Sequence, residues 1–203
     1  MSLTKIKSTI KVKGDNSKES LGLVHVITGD GKGKTTSSLG LAVRAIGNNL
    51  TVHMIQFLKS GVTGELNSAK RLGFEIEQFG VDALKEKQKK LQEFSDKTGR
   101  FVFNPDIEEK DAALQGFEHA KNIIQNGNYN LVILDEINCV LAKKLISLDE
   151  VLELVKSHGK VELVFTGRDA PKELMDAADY VNVVYGIKHP WQKGIVARKG
   201  IEY

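Results

Sequence analysis

The sequence predicts an α/β fold, with a mostly parallel sheet and helices on both of its faces. Short apolar runs rich in β-branched residues alternate with segments of helical periodicity along almost the whole chain. The run at 129–136 is almost continuously apolar before its two acids, as expected for a strand that is buried on both faces. Alternation of this kind produces right-handed βαβ units, and these units build a parallel sheet.

In the first half of the chain, three apolar runs predict strands at 23–28, 51–57 and 74–79. Apolar residues at helical spacing predict helices at 34–47, 65–73 and 82–97. The first of these helices carries Leu39, Val43 and Ile46 on its expected buried face, and Gly47 is expected to end it.

In the second half, further apolar runs predict strands at 129–136, 160–167 and 180–186. Helices are predicted after Pro105, at 148–159 and at 170–178. The helix after Pro105 is expected to end at Gly127, with a buried face formed by Ile107, Leu114, Phe117 and Ile124. Because ligands of parallel sheets bind at the carboxyl ends of the strands, the loops after Thr28, Phe57, Glu136 and Thr166 should form the site.

The composition fits one globular domain. The chain has 203 residues, of which 41% are hydrophobic and 27% are charged. Its apolar runs stay shorter than the roughly 18 residues of a membrane span, so we expect no membrane partner. The start of the sequence has the lysines of a secretory signal but lacks its apolar core, so secretion is not expected. Cys139 is the only cysteine, which fits a reducing cytoplasm.

The net charge of +3 is confined to residues 1–20, which contain five lysines against two acidic residues. We therefore expect 1–20 to be a basic, flexible arm and 21–203 to be a single, nearly neutral domain. A neutral domain lacks the basic face that nucleic-acid binding requires, so nucleic acid is not an expected partner.

The segment VHVITGDGKGKTTSSLG resembles a phosphate-binding loop with one glycine missing. The pattern G-x-x-x-x-G-K-[ST] is matched in its second half by Gly33, Lys34 and Thr35, but Thr28 stands where the first glycine belongs. The segment lies between a predicted strand and a predicted helix, which is the context that the motif demands. The alternative is an ordinary glycine-rich turn.

The residue types in this loop suit an anion. Glycines at 29, 31 and 33 would allow positive φ angles and a close approach of the backbone to phosphate. Successive N–H groups and the amino end of the following helix would attract negative charge. Lys34 would reach phosphate oxygens, Lys32 would add a second cation, and Thr35 would place a hydroxyl on Mg²⁺.

A second, independent signal is the pair Asp135 and Glu136 at the end of the strand in LVILDE. A buried acid at a strand end needs a cation or hydrogen-bond donors beside it, and Mg²⁺ near Thr35 would supply the cation. The alternative is a helix-capping or ion-paired acid. With the loop, this pair indicates a site for a nucleoside triphosphate.

Other candidates are weaker. Arg168 follows the strand in VFTGRDAP, where it could bind phosphate or form an ion pair, and Arg44 could turn back to the nucleotide or lie in solvent. Phe101 and Phe103 lie on one side of an extended segment and would form either a wall for an apolar ligand or part of the core. The five histidines show no metal-ligand spacing.

Five segments together resemble the ATP:corrinoid adenosyltransferases of the CobA type: TGDGKGKTTSSLGLAVRAIG, VHMIQFLKS, LVILDEI, VFTGRDAP and KHPWQKGIVARKGIEY. That family carries G-[ND]-G-K-G-K-T-T in its loop, so the missing glycine is expected there. The resemblance runs from about residue 21 to residue 203, and its last segment is the most distinctive. It implies a RecA-like P-loop fold.

The resemblance also implies a reaction. Such enzymes move the 5′-deoxyadenosyl group of ATP to the Co(I) of a reduced corrinoid and release triphosphate, with Mg²⁺ bound. The implied ATP-binding residues are Gly29, Asp30, Gly31, Lys32, Gly33, Lys34, Thr35, Thr36, Arg44 and Arg168. The implied metal contacts are Thr35, Glu136 and Asp135, and Phe101 and Phe103 would line the corrin.

In this reaction Lys34, Thr35 and Glu136 would position the triphosphate, and no residue would act as an acid or base. The resemblance further implies a homodimer, together with a reductase or flavoprotein that delivers the electron to cobalt. Three alternatives remain: a RecA-like ATPase acting on DNA or RNA, in which Glu136 would be the base, a small-molecule kinase, and a non-catalytic nucleotide switch.

Overall fold

A computed structural model describes residues 18–81 and 106–202 of the chain. Within these ranges the strands are β1 (Val24–Thr28), β2 (Val52–Phe57), β3 (Glu75–Phe79), β4 (Leu131–Asp135), β5 (Glu162–Thr166) and β6 (Tyr180–Val183). The α-helices there are α1 (Lys34–Ile46), α2 (Gly64–Leu72), α3 (Asp106–Asn126), α4 (Ile137–Ala142), α5 (Leu148–Ser157) and α6 (Lys172–Asp176). Each strand lies inside its predicted range. The helix predicted at 82–97 falls outside the described residues, as do Phe101 and Phe103.

The strands form one parallel sheet in the order β3-β2-β4-β5-β1-β6. The chain starts in β1, moves outward through β2 to β3, returns through β4 and β5, and finishes on the far side of β1. Strands β2 and β4 are buried along their whole length. This arrangement confirms the predicted α/β class and brings the carboxyl ends of β1, β2, β4 and β5 to one edge of the sheet.

Helices cover both faces of this sheet. On one face, α1 and α2 bury Ala42, Ala45 and Ala69 against Met54 and Ile133. On the other face, α3 to α6 pack on the sheet with residues that include Phe117, Ile137, Val151 and Leu174. None of the helices in the described ranges is both long enough and apolar enough to cross a bilayer.

Two predicted helix faces are partly wrong. In α1, Val43 is 50% exposed, and the residues that pack inward are the smaller Ser38, Ala42 and Ala45. Leu39 and Ile46 pack against the core as predicted, but the small side chains lie closest to the sheet, so the apolar pattern marks the buried face only in part. In α3, the first two residues of the predicted apolar face, Ile107 and Leu114, are exposed instead of buried.

The buried face of α3 combines the predicted Phe117 and Ile124 with Ala113 and Ala120. Helix α4 was not predicted. It spans only Ile137–Ala142, directly after β4, and is too short to show a helical repeat in the sequence. It matters for function because it fixes the residue between it and β4, which is Glu136.

Candidate active site

The loop between β1 and α1 has the left-handed backbone that two of its glycines allow. The φ angle is +101° at Gly29 and +124° at Gly33, in the region that side chains other than glycine rarely adopt. Helix α1 begins directly after this turn, and the N–H of Ser37 donates to the Gly33 carbonyl oxygen at 2.7 Å. The predicted strand–loop–helix context is therefore present.

Gly31 is needed for a different reason from the one the sequence suggests. Its φ is not positive, but a Cβ there would lie 2.7 Å from the carbonyl carbon of Tyr185. A Cβ on Gly29 would likewise lie 2.3 Å from the carbonyl oxygen of Val184. These two glycines make room for the chain that follows β6, in addition to any room they leave for an anion.

Residues 184–202 cross the phosphate loop and bond to it. The N–H of Gly31 donates to the Val184 carbonyl oxygen at 2.8 Å. The N–H of Gly186 donates to Asp30 Oδ1 at 3.1 Å, and the ammonium of Lys32 donates to the Ile201 carbonyl oxygen at 3.4 Å. The most distinctive part of the sequence is thus built onto the loop.

Lys34, the lysine of the motif, has a buried side chain, and its ammonium donates to the Gly31 carbonyl oxygen at 2.8 Å. Burial lowers the pKa of Lys34 below the usual lysine value, Glu136 acts in the opposite direction, and Arg168 adds to the lowering. The ammonium is held across the mouth of the loop, where a phosphate oxygen could replace the carbonyl as its acceptor.

Asp135 is fully buried, and its carboxylate accepts from four donors. The hydroxyls of Thr35 and Thr166 donate to Oδ1 at 2.8 and 2.6 Å. The amide of Gln56 and the ammonium of Lys59 donate to Oδ2 at 3.1 and 2.7 Å. The sequence interpretation did not assign a role to Lys59, although its position just after β2 was a signal, since the loop after Phe57 was expected at this edge.

Glu136 connects β4 to α4 with a left-handed backbone, at a φ of +66°. Its N–H donates to Thr166 Oγ1 at 3.1 Å, and its Oε2 accepts from the thiol of Cys139 at 3.0 Å. Burial, together with the hydrogen bond to Glu136, raises the pKa of Cys139 to about 11. Cys139 is therefore a thiol that supports Glu136.

Left-handed backbone recurs at this edge of the sheet. Besides Glu136, Leu58 after β2 and Asp169 after β5 have φ angles of +57° and +55°. Such angles cost of order 1 kcal/mol or more each in residues other than glycine, and they persist where surrounding structure imposes them. Their position indicates that the carboxyl ends of three neighbouring strands are shaped for a ligand.

A cavity of about 340 Å³ lies over the loop. It brings together the predicted residues 30–36, Glu136 and Arg168, and adds His189, Ile201 and Glu202, which were not predicted as site residues. Gly29 and Asp135, which were also predicted, do not line the cavity. Gly29 comes just before the loop residues that do, and Asp135 lies behind Thr35, whose hydroxyl donates to it.

Arg44 is not part of this group. It lies ten residues after Lys34 on α1, about 15 Å along the helix. Its side chain lines a separate cavity of about 430 Å³ at the amino ends of the strands, beside Asn130 and Glu162.

The charges around the cavity are mixed. Lys32, Lys34 and Arg168 are positive, and Asp30, Glu136 and Glu202 are negative. Hydrogen bonds from the side chain and the backbone of Arg198 lower the pKa of Glu202 to about 2. Since Arg198 balances that carboxylate, the cations of the loop remain free to meet phosphate.

The oxygen atoms at the base of the cavity suit Mg²⁺, a hard cation that prefers hydroxyl and carboxylate ligands. Asp135 already accepts from four donors, so its carboxylate is committed to holding Thr35 in place. The Thr35 hydroxyl donates its proton to Asp135, which leaves its oxygen lone pairs available. Within residues 18–81 and 106–202, the Glu136 carboxylate accepts only from the weak thiol donor of Cys139, so Thr35 and Glu136 fit the ion best.

Comparison with known proteins gives consistent results. Residues 20–203 match the family model described as "ATP:corrinoid adenosyltransferase BtuR/CobO/CobP". The chain is 29% identical over 203 residues to the corrinoid adenosyltransferase CobA of Salmonella typhimurium, which covers 98% of this chain and 94% of that one. A corrinoid adenosyltransferase from Sinorhizobium sp is 32% identical over 187 residues, covering 90% of this chain and 80% of that one.

Among solved structures, the flagellar accessory protein FlaH of Methanocaldococcus jannaschii superposes with a TM-score of 0.53 and 16% identity. The match covers 80% of this chain and 71% of FlaH, and it bears on the fold alone. It agrees with the RecA-like P-loop architecture. The family-model match extends over the phosphate loop, the Asp135–Glu136 pair and residues 184–202, which cross that loop. The chain therefore belongs to the ATP:corrinoid adenosyltransferase family.

Proposed function

We propose that this protein transfers the 5′-deoxyadenosyl group of ATP to the cobalt of a reduced corrinoid and releases triphosphate. Membership of the family supports the reaction class. The observation that carries the proposal is the packing of residues 184–202 on the phosphate loop. This segment contains the part of the sequence that ordinary P-loop ATPases lack, and it forms one wall of the cavity.

In the proposed step, the electron pair of Co(I) attacks C5′ of the ribose. The cobalt pair forms the cobalt–carbon bond. The bond between C5′ and its oxygen breaks, and triphosphate leaves with the two electrons of that broken bond. Cobalt is formally oxidised from Co(I) to Co(III), and no proton is transferred. The protein therefore has to hold C5′ in line with cobalt and stabilise the charge of the departing triphosphate.

The residues of the loop are suited to that task. The buried ammonium of Lys34 and the exposed side chains of Lys32 and Arg168 surround the cavity and would neutralise the triphosphate along its length. Thr35 and Glu136 would hold Mg²⁺, which, when bound, would add positive charge to the leaving group. The low exposure of Lys34 strengthens its attraction for phosphate, because little water screens it.

Glu136 distinguishes this proposal from ATP hydrolysis. In an ATPase, a carboxylate at this position would activate water for attack on the γ-phosphate. The Glu136 carboxylate instead accepts the Cys139 thiol and lines the same cavity as Thr35, which supports a metal-holding role. Attack by Co(I) has no need of a base.

Several parts of the proposal reach beyond the described residues. Phe101 and Phe103 are proposed to line the corrin. Arg44, which lines the separate cavity at the amino ends of the strands, is not assigned to the ATP site. We also propose a cytoplasmic homodimer that receives electrons from a reductase or flavoprotein. Strand β6 supports association, because it forms one end of the sheet order and exposes Tyr180, Val181 and Val183.

The experiment is a single reaction mixture with two readouts. The full chain is mixed with ATP, Mg²⁺ and a chemically reduced corrinoid, the visible spectrum is followed, and the phosphate products are separated. We expect the spectrum of an alkylcorrinoid to appear together with triphosphate in equal amount. A spectrum that does not change while ATP is converted to ADP and phosphate would overturn the proposal in favour of an ATPase.

A matched pair of variants assigns the activity to the loop. Lys34→Ala should abolish both the spectral change and triphosphate release, because the buried ammonium at the loop is lost. Lys156→Ala removes an exposed lysine of α5, on the opposite face of the sheet from α1, and should leave both unchanged. Equal activity in the two variants would show that the loop assignment is wrong.

A further inference from the structure

Three side chains that are far apart in sequence converge on one point at the edge of the sheet. His53 belongs to β2, Glu77 to the neighbouring β3, and His119 to α3, which packs over both strands. One ligand atom from each lies within 4.8 Å of the other two. The Nε2 of His53 lies 2.9 Å from Glu77 Oε2, and the Nε2 of His119 contacts the same oxygen.

This cluster is separate from the phosphate site. His53 stands four residues before the end of β2, and a strand rises about 3.3 Å per residue, so about 13 Å separates it from the carboxyl edge. An ion bound at this cluster would therefore be independent of the adenosyltransferase reaction.

His53 is held rigidly. It is 2% exposed, and its ring lies against that of Tyr129, with the centroids 4.9 Å apart. Its Nδ1 has no hydrogen-bond partner within the described part of the chain, and an oxygen of Glu75 lies 3.4 Å away. Glu75 is itself fixed by the hydroxyl of Tyr129, which donates to it at 2.8 Å.

The hydrogen-bond donors of this cluster do not match its acceptors. A neutral imidazole carries one N–H, yet both ring nitrogens of His53 face carboxylates. The Glu77 oxygen can accept from Nε2 of both His53 and His119, so the mismatch lies at Nδ1 of His53, whose lone pair then faces Glu75. A cation between the three ligand atoms resolves the mismatch, because Nε2 of His53 can then bind it while Nδ1–H points at Glu75.

We propose that His53, Glu77 and His119 bind a Zn²⁺ ion. Two imidazole nitrogens and one carboxylate oxygen form a ligand set that Zn²⁺ favours, and it leaves a fourth position for water. The side chains of Glu77 and His119 are 44% and 37% exposed, which provides the opening for the ion and that water. Glu75 supplies the outer carboxylate that metal-bound histidines commonly have.

The ligands can reach zinc geometry with little rearrangement. Zinc–ligand bonds of about 2.0–2.2 Å place tetrahedral ligand atoms roughly 3.3–3.6 Å apart. The two imidazole–carboxylate contacts are shorter than this, so Glu77 has to withdraw slightly toward solvent, where it is already half exposed. The buried ring of His53 stays in place. Bound zinc would link β2, β3 and α3.

The test uses the full chain and Zn²⁺ alone. Metal-free protein is titrated with Zn²⁺ against a chromophoric chelator, without ATP or corrinoid, and Tm is recorded at each concentration. We expect one high-affinity ion per chain and a rise in Tm of about 5 °C at a zinc concentration a hundred times Kd. In nitrogen-detected NMR, the Nε2 signals of two histidines should shift together.

His119→Gln is the decisive variant, because the amide can still donate to Glu77 but supplies no imidazole ligand. It should lower zinc affinity at least 100-fold and remove the rise in Tm, whereas Tyr129→Phe, which frees Glu75, should lower affinity about 10-fold. His158→Gln, a partly buried histidine outside the cluster, should leave affinity unchanged. Wild-type protein that fails to bind Zn²⁺, or a His119→Gln variant that binds it equally well, would overturn the proposal.

Discussion

The ammonium of Lys59 lies 2.7 Å from the carboxylate of Asp135, which is completely buried. The two residues come from neighbouring strands, since Asp135 ends β4 and Lys59 follows β2. This contact balances the buried charge at the base of the phosphate site without any help from a bound ion. Asp135 is thereby free to hold the Thr35 hydroxyl, which is the group expected to meet the metal.

Replacing Lys59 should be costly for stability. Lys59→Met removes the cation and leaves the buried carboxylate of Asp135 uncompensated, so the free energy of unfolding should fall by about 3 kcal/mol. Urea denaturation measures this change. Lys143→Met removes a lysine that pairs with Glu109 at the surface, where the loss should stay below about 1 kcal/mol. Equal losses in the two variants would contradict the role given to Lys59.

Alanine at Gly29 should displace residues 184–202, which cross the phosphate loop. Its Cβ would lie 2.3 Å from the Val184 carbonyl oxygen, so residues 184–202 should become accessible to protease and the affinity for ATP should drop. Limited proteolysis and equilibrium ATP binding check both effects. Gly40→Ala is the matched control: a Cβ there meets no atom within 4 Å, and alanine should stabilise α1 by about 0.5–1 kcal/mol. A Gly29→Ala protein that keeps normal protease resistance would count against the packing.

Glu136→Gln separates a metal contact from a catalytic base. If Glu136 only contacts the metal, its loss should weaken Mg²⁺ binding without stopping the reaction. We expect the Mg²⁺ concentration for half-maximal activity to rise about tenfold, as when other residues around a bound metal are replaced. The maximal rate at saturating Mg²⁺ should largely return. Glu153→Gln, on the exposed side of α5, is the control. Activity that stays abolished at any Mg²⁺ concentration would identify Glu136 as a base.

Glu162 should make stability depend on pH in the acid range. Burial alone would raise its pKa, but hydrogen bonds from His25 and from the N–H groups of Leu23 and Gly22 lower it overall. A carboxyl whose pKa is lower in the folded protein stabilises above its unfolded pKa of about 4.3, and that contribution is lost as the pH falls further. Glu162→Gln should therefore reduce stability by about 1–2 kcal/mol at pH 7.

Urea denaturation from pH 3 to pH 7 tests this assignment. The difference in stability between wild type and Glu162→Gln should shrink steadily below about pH 4.3. A difference that stays constant across the whole range would show that the ionised carboxylate contributes nothing beyond its shape.

Local patterns predicted the strands and the phosphate loop because both are continuous in sequence. The apolar run that ends in Asp135 and Glu136 is long enough to identify a buried strand, and the glycines before Lys34 stand in one segment. The faces of α1 were less predictable, since Ser38 and the alanines pack inward where Val43 does not. Small residues carry little hydrophobic signal, although they decide how closely a helix approaches a sheet.

Contacts between distant segments could not be predicted in the same way. Lys59 reaches Asp135 from 76 positions away, and His119 reaches Glu77 from 42 positions away. Neither spacing belongs to a recurring motif, because the order of the strands and the packing of α3 over the sheet bring these residues together. The strands β2, β3 and β4 had to be placed side by side before either cluster became visible.

The position of β1 in the sheet has a consequence for synthesis on the ribosome. The strand that leads into the phosphate loop pairs with β5 and β6, which are made more than 130 residues later. During most of translation, therefore, β1 lacks both of its neighbouring strands, and the phosphate loop that follows it is not yet held in the conformation that binds ATP. ATP can therefore stabilise the loop only after β5 and β6 have been made and have paired with β1.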